Sequence, residues 1–172
     1  YAKAMKKTIK LLASSRVTDD GVIAMVAPHL VDGDDPLYSV NGVFNAIFVH
    51  GNMLGDAMFY GQGAGKEATA SAVVADVIEE AQCLGTGRMS EWSPEKQELL
   101  DVSETKKRYF VRFQGDASDL TEAERCFGKV NAAVAPLAGE FGFTTGVMTE
   151  KEYQACAAKT DRVISMIRVR EK

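Results

Sequence analysis

The sequence predicts an α+β fold, in which a mainly antiparallel sheet with covering helices is followed by a small βα module. Short apolar stretches that alternate with polar residues, or lie between turn residues, indicate strands in the first third of the chain. A stretch near residue 70 has its apolar residues spaced as on one face of a helix. Beyond a charged segment, strand-like and helix-like stretches alternate to the end of the 172 residues.

The composition narrows the class of protein. Hydrophobic residues make up 46% and charged residues 26% of the chain, which predicts a packed core. The net charge of −4 disfavours a nucleic-acid partner, and no apolar run reaches the roughly 18 residues of a membrane span. The first residues lack a signal-peptide pattern. Cys83, Cys126 and Cys156 have no paired spacing, which predicts reduced, buried thiols in a cytoplasmic protein.

The first part of the chain predicts four strands and a helix. Residues 1–7 resemble the last turns of a helix whose beginning lies upstream, because Ala, Met and Lys favour helices and no N-cap precedes them. The turn residues Asp19, Asp20 and Gly21 predict a hairpin. The four strands are expected to form a meander, covered on one face by a helix that begins at Thr69 or Ser71. The predicted elements are strands Thr8–Val17, Val22–Val26, Val43–Val49 and Asp56–Tyr60, and helix Thr69–Cys83.

The second part begins after residues 85–108, a polar segment that is the predicted linker. Within it, Ser93-Pro94 favours a short helix. A capping box that begins at Thr121 predicts the start of a helix. The order of elements resembles a ferredoxin-like module in which one strand is missing or disguised. The predicted elements are strand Tyr109–Phe113, helix Thr121–Glu140, strand Phe141–Met148, helix Thr149–Lys159 and strand Arg162–Arg170.

The glycine-rich loop Gly61–Lys66 is the sharpest chemical feature. It lies between a predicted strand and a predicted helix, where backbone N–H groups and the helix dipole favour an anion. The G-x-G-x-x-G motif fails at Lys66, and the G-x-x-x-x-G-K-[ST] motif fails at Tyr60 and Glu67. From the residues alone, an ordinary turn that uses glycine for its conformational freedom is the more frequent explanation.

Other candidate groups favour structural roles. His29 and His50 lie on different segments without Cys or Asp at ligand spacing, so no metal site is expected. The acidic run Asp32–Asp35 lacks the spacing of a calcium loop, and the basic run at residues 106–108 is too short for a nucleic-acid patch. The residues alone therefore do not identify a reaction.

Three consecutive segments resemble homoserine dehydrogenase. They are Ser39-Val-Asn-Gly-Val-Phe-Asn-Ala-Ile47, Gly55-Asp-Ala-Met-Phe-Tyr-Gly-Gln-Gly-Ala-Gly65 and Thr69-Ala-Ser-Ala-Val-Val-Ala-Asp76. The resemblance assigns residues 1–84 to the C-terminal part of that enzyme's substrate and dimerisation domain. It places 109–172 where many members carry an ACT regulatory domain.

The resemblance implies an NAD(P)-dependent interconversion of homoserine and aspartate semialdehyde, in the route to threonine, methionine and isoleucine. In this family the nucleotide-binding domain and the lysine used in proton transfer precede the region seen here. No catalytic residue is therefore assigned to this chain, and the chain alone is expected to be inactive. Asp35-Pro36 imitates the family's Asp-Pro step, but Ser39 stands where the pattern has Asp, so it is not assigned catalysis.

The resemblance also implies a cofactor contact at Gly63, Ala64 and Gly65, because the family's glycine loop approaches the dinucleotide. Glu67-Ala68 departs from the family, which usually has Pro before the Thr-Ala pair. The strand at residues 43–49 is a candidate for the family's dimer interface.

In the module at residues 109–172, the turn that begins at Asp116 lacks the Pro and Gly of the effector-binding turn. This departure weakens the expectation of threonine as an effector but is compatible with a dimerising role. Two alternatives remain open: a stand-alone ACT-like amino-acid-sensing or dimerisation module, and a nucleotide-binding domain that uses Gly61–Lys66 independently. The choice between NAD and NADP is not decided.

Overall fold

The structure, a computed structural model, describes residues 1–86 and 92–171. The chain divides into two compact units, one made of Tyr1–Tyr38 with Gln97–Lys172 and the other of Ser39–Lys96. The elements are β1 Thr8–Thr18, β2 Gly21–Val31, β3 Phe44–Gly51, β4 Gly55–Gln62, α1 Lys66–Gln82, β5 Lys106–Lys107, β6 Tyr109–Gln114, α2 Leu120–Phe127, β7 Asn131–Val134, β8 Glu140–Thr144, β9 Met148–Thr149, α3 Glu150–Ala157 and β10 Val163–Val169.

The first unit is built on a six-stranded sheet with the order β1-β2-β10-β6-β8-β7. Its neighbouring strands are antiparallel, except that β10 runs parallel to β2. The predicted α+β class with a mainly antiparallel sheet is confirmed. The predicted four-strand meander is wrong, because β2 pairs with β1 and β10, whereas β3 and β4 form a separate two-stranded sheet.

The hairpin of β1 and β2 follows the sequence prediction. The turn after Thr18 brings Gly21 opposite that residue, and the register continues to the pair Thr8 and Val31. Before β1, the N–H of Met5 donates to the carbonyl of Tyr1, and the N–H of Lys7 donates to the carbonyl of Ala2. With Lys6 at φ 56°, this is the hydrogen-bond pattern of a helix end, as predicted for residues 1–7.

The second half of the first unit has the order β6-α2-β7-β8-α3-β10, which is the ferredoxin-like arrangement. β7 is the strand that the sequence prediction lacks. Its residues fall within Thr121–Glu140, for which a helix was predicted. That prediction is wrong because α2 ends at Gly128, whose φ of 74° stops the helix. A capping box does start α3, where Thr149 and Glu152 cap each other's backbone N–H groups.

The core of this unit is aromatic. Phe143 lies at its centre, with ring centroids 5.5 Å from Phe127 and 5.9 Å from Phe113. Strands β6 and β8, helices α2 and α3, and the segment between α2 and β7 contribute its fully or almost fully buried side chains. These are Tyr109, Val111, Phe113, Ala123, Cys126, Phe127, Val130, Phe141, Phe143 and Tyr153.

The second unit contains the hairpin of β3 and β4, followed by α1. The helix begins at Lys66 rather than at the predicted Thr69 or Ser71, and Gly65 is its N-cap. Residues 92–98, where a short helix was predicted, carry no helix. Residues 87–91 of the predicted linker lie outside the described residues.

The expectation that α1 covers a sheet face through its apolar stripe is also wrong. The described residues of α1 are at least partly exposed, including Val73 at 56% and Val77 at 63%.

Candidate functional site

The glycine loop lies where the sequence places it, between a strand and a helix. β4 ends at Gln62 and α1 begins at Lys66, so Gly63, Ala64 and Gly65 form the whole connection. All three residues are exposed. A short, exposed loop ahead of a 17-residue helix leaves the backbone open to a ligand.

Gly65 fixes the entry to the helix. Its φ of 117° and ψ of 149° belong to a region that side-chain-bearing residues rarely adopt. Its carbonyl accepts the first helical hydrogen bond, from the N–H of Thr69 at 3.1 Å. Glycine has no side chain with which to cap the helix, so the N–H groups of Lys66, Glu67 and Ala68 keep the polarity that favours an anion.

Gly63 makes the tightest contact in the loop. Its N–H donates to the carbonyl of Val43 at 3.3 Å, which extends the β3–β4 ladder by one bond. A Cβ atom at Gly63 would lie 2.4 Å from Nδ2 of Asn45 and 3.1 Å from its Cγ. The Asn45 amide therefore rests directly against the Cα of Gly63, and only glycine fits there without displacing it. Sequence reasoning gave Asn45 no role, because no local pattern reports a contact across two strands.

The charges and rings around the loop belong to the same unit. Lys66 and Glu67 open the helix with opposite charges, and both are exposed. Phe44 and Tyr60 stack with centroids 5.0 Å apart and planes inclined by 8°, and both rings are more than a third exposed. At the far end of the hairpin, Nδ1 of His50 lies 2.6 Å from Oδ1 of Asp56. The loop thus combines open backbone donors with an adjacent apolar surface.

Asp35 has a structural role in the first unit. Its buried carboxylate accepts the N–H of Leu37 at 2.9 Å and lies 2.6 Å from Nε of Arg170. A cavity of about 430 Å³ adjoins this pair. Asp32, Arg108 and Glu171 also line this cavity. Asp32 forms an ion pair with Lys7, and Glu171 forms one with Arg108. The pair of Asp35 and Arg170 ties the loop after β2 to the residue that follows β10.

The histidines and cysteines fall at separate places. His29 is buried with Nδ1 2.9 Å from the carbonyl of Ala27, and burial, more than the nearby cations, lowers its pKa. Cys126 lies in the core as predicted, but Cys83 is exposed because it ends α1, whose apolar face is uncovered. Across residues 1–86 and 92–171, no group of three or more His, Cys, Asp or Glu side chains is arranged to hold a metal ion.

No helix within residues 1–86 and 92–171 is both long and apolar enough to cross a bilayer.

Comparisons with known proteins point to one family. Residues 1–78 match the family model of homoserine dehydrogenase. The homoserine dehydrogenase of Pseudomonas aeruginosa is 31% identical over 177 residues, which covers 98% of this chain and 38% of that protein. The Synechocystis enzyme is 48% identical over 82 residues, covering 45% of this chain and 19% of that protein.

A solved structure agrees along almost the whole chain. The homoserine dehydrogenase from Thiobacillus denitrificans superimposes with a TM-score of 0.84 at 27% identity, covering 99% of this chain and 44% of that one. The chain thus spans less than two fifths of the length of the curated relatives given above. The resemblance predicted from the sequence is confirmed.

Proposed function

The chain is a relative of the homoserine dehydrogenases, which are oxidoreductases, and on this premise we propose that it forms the C-terminal part of such an enzyme. The intact protein would interconvert homoserine and aspartate semialdehyde with NAD(P), in the route to threonine, methionine and isoleucine. The observation that carries this proposal is the glycine loop, since its sequence lies within the matched residues 1–78 and its geometry suits an anionic ligand.

The proposed contribution of this chain is to bind and orient the dinucleotide. The N–H groups at the start of α1 and the positive end of the helix dipole would face a phosphate or the polar part of the cofactor. The exposed backbone of Gly63, Ala64 and Gly65 allows close approach, because no Cβ projects at the two glycines. The cofactor, when bound, supplies the hydride acceptor or donor. No residue of this chain is proposed to move the proton.

We further propose the division into functional domains that the resemblance implied. Residues 1–84 would belong to the substrate and dimerisation domain, 85–108 to a linker, and 109–172 to an ACT-like regulatory domain. The ferredoxin-like order of β6 to β10 supports the last assignment. The turn at Asp116–Asp119 is a 3₁₀ turn closed by its own capping box. Since these carboxylates already bond to the turn's backbone, threonine binding there is the weaker part of the proposal.

A homodimer is proposed from the uncovered apolar surface of the second unit. Val43, Ile47 and Val49 on or beside β3 are 47%, 66% and 41% exposed. Several apolar side chains this exposed along one strand favour an interaction surface, and a second copy would cover them. Light scattering should give the mass of a dimer at high concentration. A monomeric mass there would remove this part of the proposal.

The choice between NAD and NADP lies with residues outside this chain, and the cytoplasmic location stays a prediction from the cysteine pattern.

Two measurements test the proposal: oxidation of homoserine, and binding of NADPH at the glycine loop. The 172-residue chain alone should not oxidise homoserine, because the proposed proton-transfer lysine and nucleotide domain are not within it. In the chain joined to the upstream part of the Pseudomonas aeruginosa relative, NADPH should shift the amide signals of Gly63 and Gly65, and Gly63→Val should abolish the shifts. The same shifts in the isolated chain would instead favour the alternative of an independent nucleotide-binding domain.

Turnover by the isolated chain would contradict the assignment of the catalytic groups. Identical shifts in wild type and Gly63→Val would contradict the loop's proposed contact. If calorimetry instead detected threonine and no dinucleotide, the alternative of an amino-acid-sensing module would replace the proposal.

A further inference from the structure

We propose that Asn45 is a positioning residue that holds the glycine loop in the conformation needed for dinucleotide contact. The inference rests on the proposed function for its ligand, but the positioning itself rests on the geometry of the second unit. Asn45 would act through Gly63 and is not assigned a contact with the reacting atoms.

Three groups of the second unit converge on one point beside the loop. The carbonyl of Val43 accepts the N–H of Gly63 at 3.3 Å and lies 3.4 Å from Nδ2 of Asn45. Both bonds are long, so neither alone fixes the loop. Together with the packing of the Asn45 amide on the Cα of Gly63, they close the β3–β4 ladder beyond its last regular pair, Phe44 with Gln62.

The Asn45 amide packs closely on Gly63. A Cβ atom at Gly63 would come within 2.4 Å of Nδ2, a separation that nonbonded atoms do not tolerate, so the exposed Asn45 side chain would have to move aside. The φ of Gly63 lies outside the left-handed range, so its backbone does not itself demand glycine. A side chain at residue 63 therefore displaces this amide, whereas Gly61 and Gly65 have open space where a Cβ would stand.

The contact between Asn45 and Gly63 lies next to the start of α1. Gly63 and Gly65 are separated only by Ala64, and Gly65 is the N-cap of α1. A shift of Gly63 away from Val43 moves the residue that sets the direction of the N–H groups at the helix start. Asn45 is exposed on a two-stranded sheet, so its amide is not held by core packing. The contact with Gly63 is what we infer to account for its position.

The test uses the ¹⁵N-labelled chain joined to the upstream part of the Pseudomonas aeruginosa relative, with NADPH as the probe. Asn45→Ala should shift the Gly63 and Gly65 amide signals, lower the backbone order of the loop and weaken NADPH binding about fivefold, the effect of one ordinary hydrogen bond. Gly63→Ala should displace the amide and give the same result. The double variant should be no worse than either single variant, because both remove one contact.

Asn41→Ala is the matched control. Asn41 is an exposed asparagine of the same unit whose Nδ2 also donates to the carbonyl two residues earlier, that of Ser39, at 3.1 Å. It should leave the loop signals and the NADPH affinity unchanged.

Two results would overturn the inference: loop order and NADPH affinity in Asn45→Ala equal to wild type, or additive effects of Asn45→Ala and Gly63→Ala. A joined protein with the wild-type loop in which NADPH moves no loop signal would overturn the proposed ligand instead. In that case loss of loop order in Asn45→Ala would still support the positioning role.

Discussion

Replacing Gly65 by alanine tests the glycine loop without adding a steric clash. Nothing lies within 4 Å of the position that a Cβ would take, so the substitution acts through the backbone alone. At φ 117° and ψ 149° an alanine is strained by about 1–3 kcal/mol. The loop relieves this strain by moving away from its native conformation.

The strain sets the expected loss of affinity. If the dinucleotide needs the native loop, binding must restore the strained conformation, and each 1.4 kcal/mol costs about tenfold in affinity. Gly65→Ala should therefore weaken NADPH binding by roughly tenfold to a hundredfold, measured from the amide shift of Gly63 in the labelled chain joined to the upstream part of the Pseudomonas aeruginosa relative. The circular dichroism of the variant reports whether α1 is retained.

Gly61, which lies near the end of β4 just before the loop, provides the matched control. Its φ is not in the left-handed range and the space around its Cα is also open, so Gly61→Ala should bind NADPH like wild type. If Gly65→Ala keeps its helix and binds NADPH as tightly as Gly61→Ala, the reasoning about the loop's conformation is refuted.

The remaining predictions concern the first unit. Asp35→Ala should cost about 3 kcal/mol in urea unfolding, because it leaves the mostly buried Arg170 without its closest carboxylate, whereas Asp32→Ala, which removes a more exposed ion pair, should cost less than about 1 kcal/mol; equal losses would contradict this. Burial first, and the nearby Glu150 second, raises the pKa of Tyr109 and of Tyr153 from 10.0 to about 12. Both phenols are easier to ionise in the unfolded chain, so stability should be intact below pH 10 and fall as the pH rises towards 12. Ultraviolet titration in which these two tyrosines ionise near pH 10 in the folded chain would disprove the effect.

Local patterns predicted the parts of the fold that local interactions determine. The Asp19-Asp20-Gly21 turn specified the β1–β2 hairpin, and the switch from strand to helix spacing placed the glycine loop correctly. Thr149 was correctly placed at the start of α3, because its capping box with Glu152 is a contact within one helical turn.

The errors arose where distant contacts override local preference. Asn131–Val134 lies in an alanine-rich run that favours a helix, yet it forms β7 by pairing with β8; Gly128 was the available signal that α2 ends earlier. The pairing of β10 with β2 joins residues far apart in the chain, which no local spacing reports. The contact of Asn45 with Gly63 was missed for the same reason, since the hairpin turn brings them together.

The uncovered apolar stripe of α1 shows what helical spacing cannot predict. The apolar spacing that includes Val73 and Val77 predicted the helix correctly, but it does not say what the stripe packs against. In the described residues that face is open.

The central claim is that this chain supplies the C-terminal part of a homoserine dehydrogenase, including the glycine loop. The most direct measurement joins the 172 residues to the upstream part of the Pseudomonas aeruginosa relative, in place of that protein's own matching segment, and follows homoserine-dependent NAD(P)H formation. The chimera should turn over homoserine, and Gly65→Ala should reduce that turnover while Gly61→Ala does not. A folded chimera that binds NADPH but does not oxidise homoserine would contradict the claim.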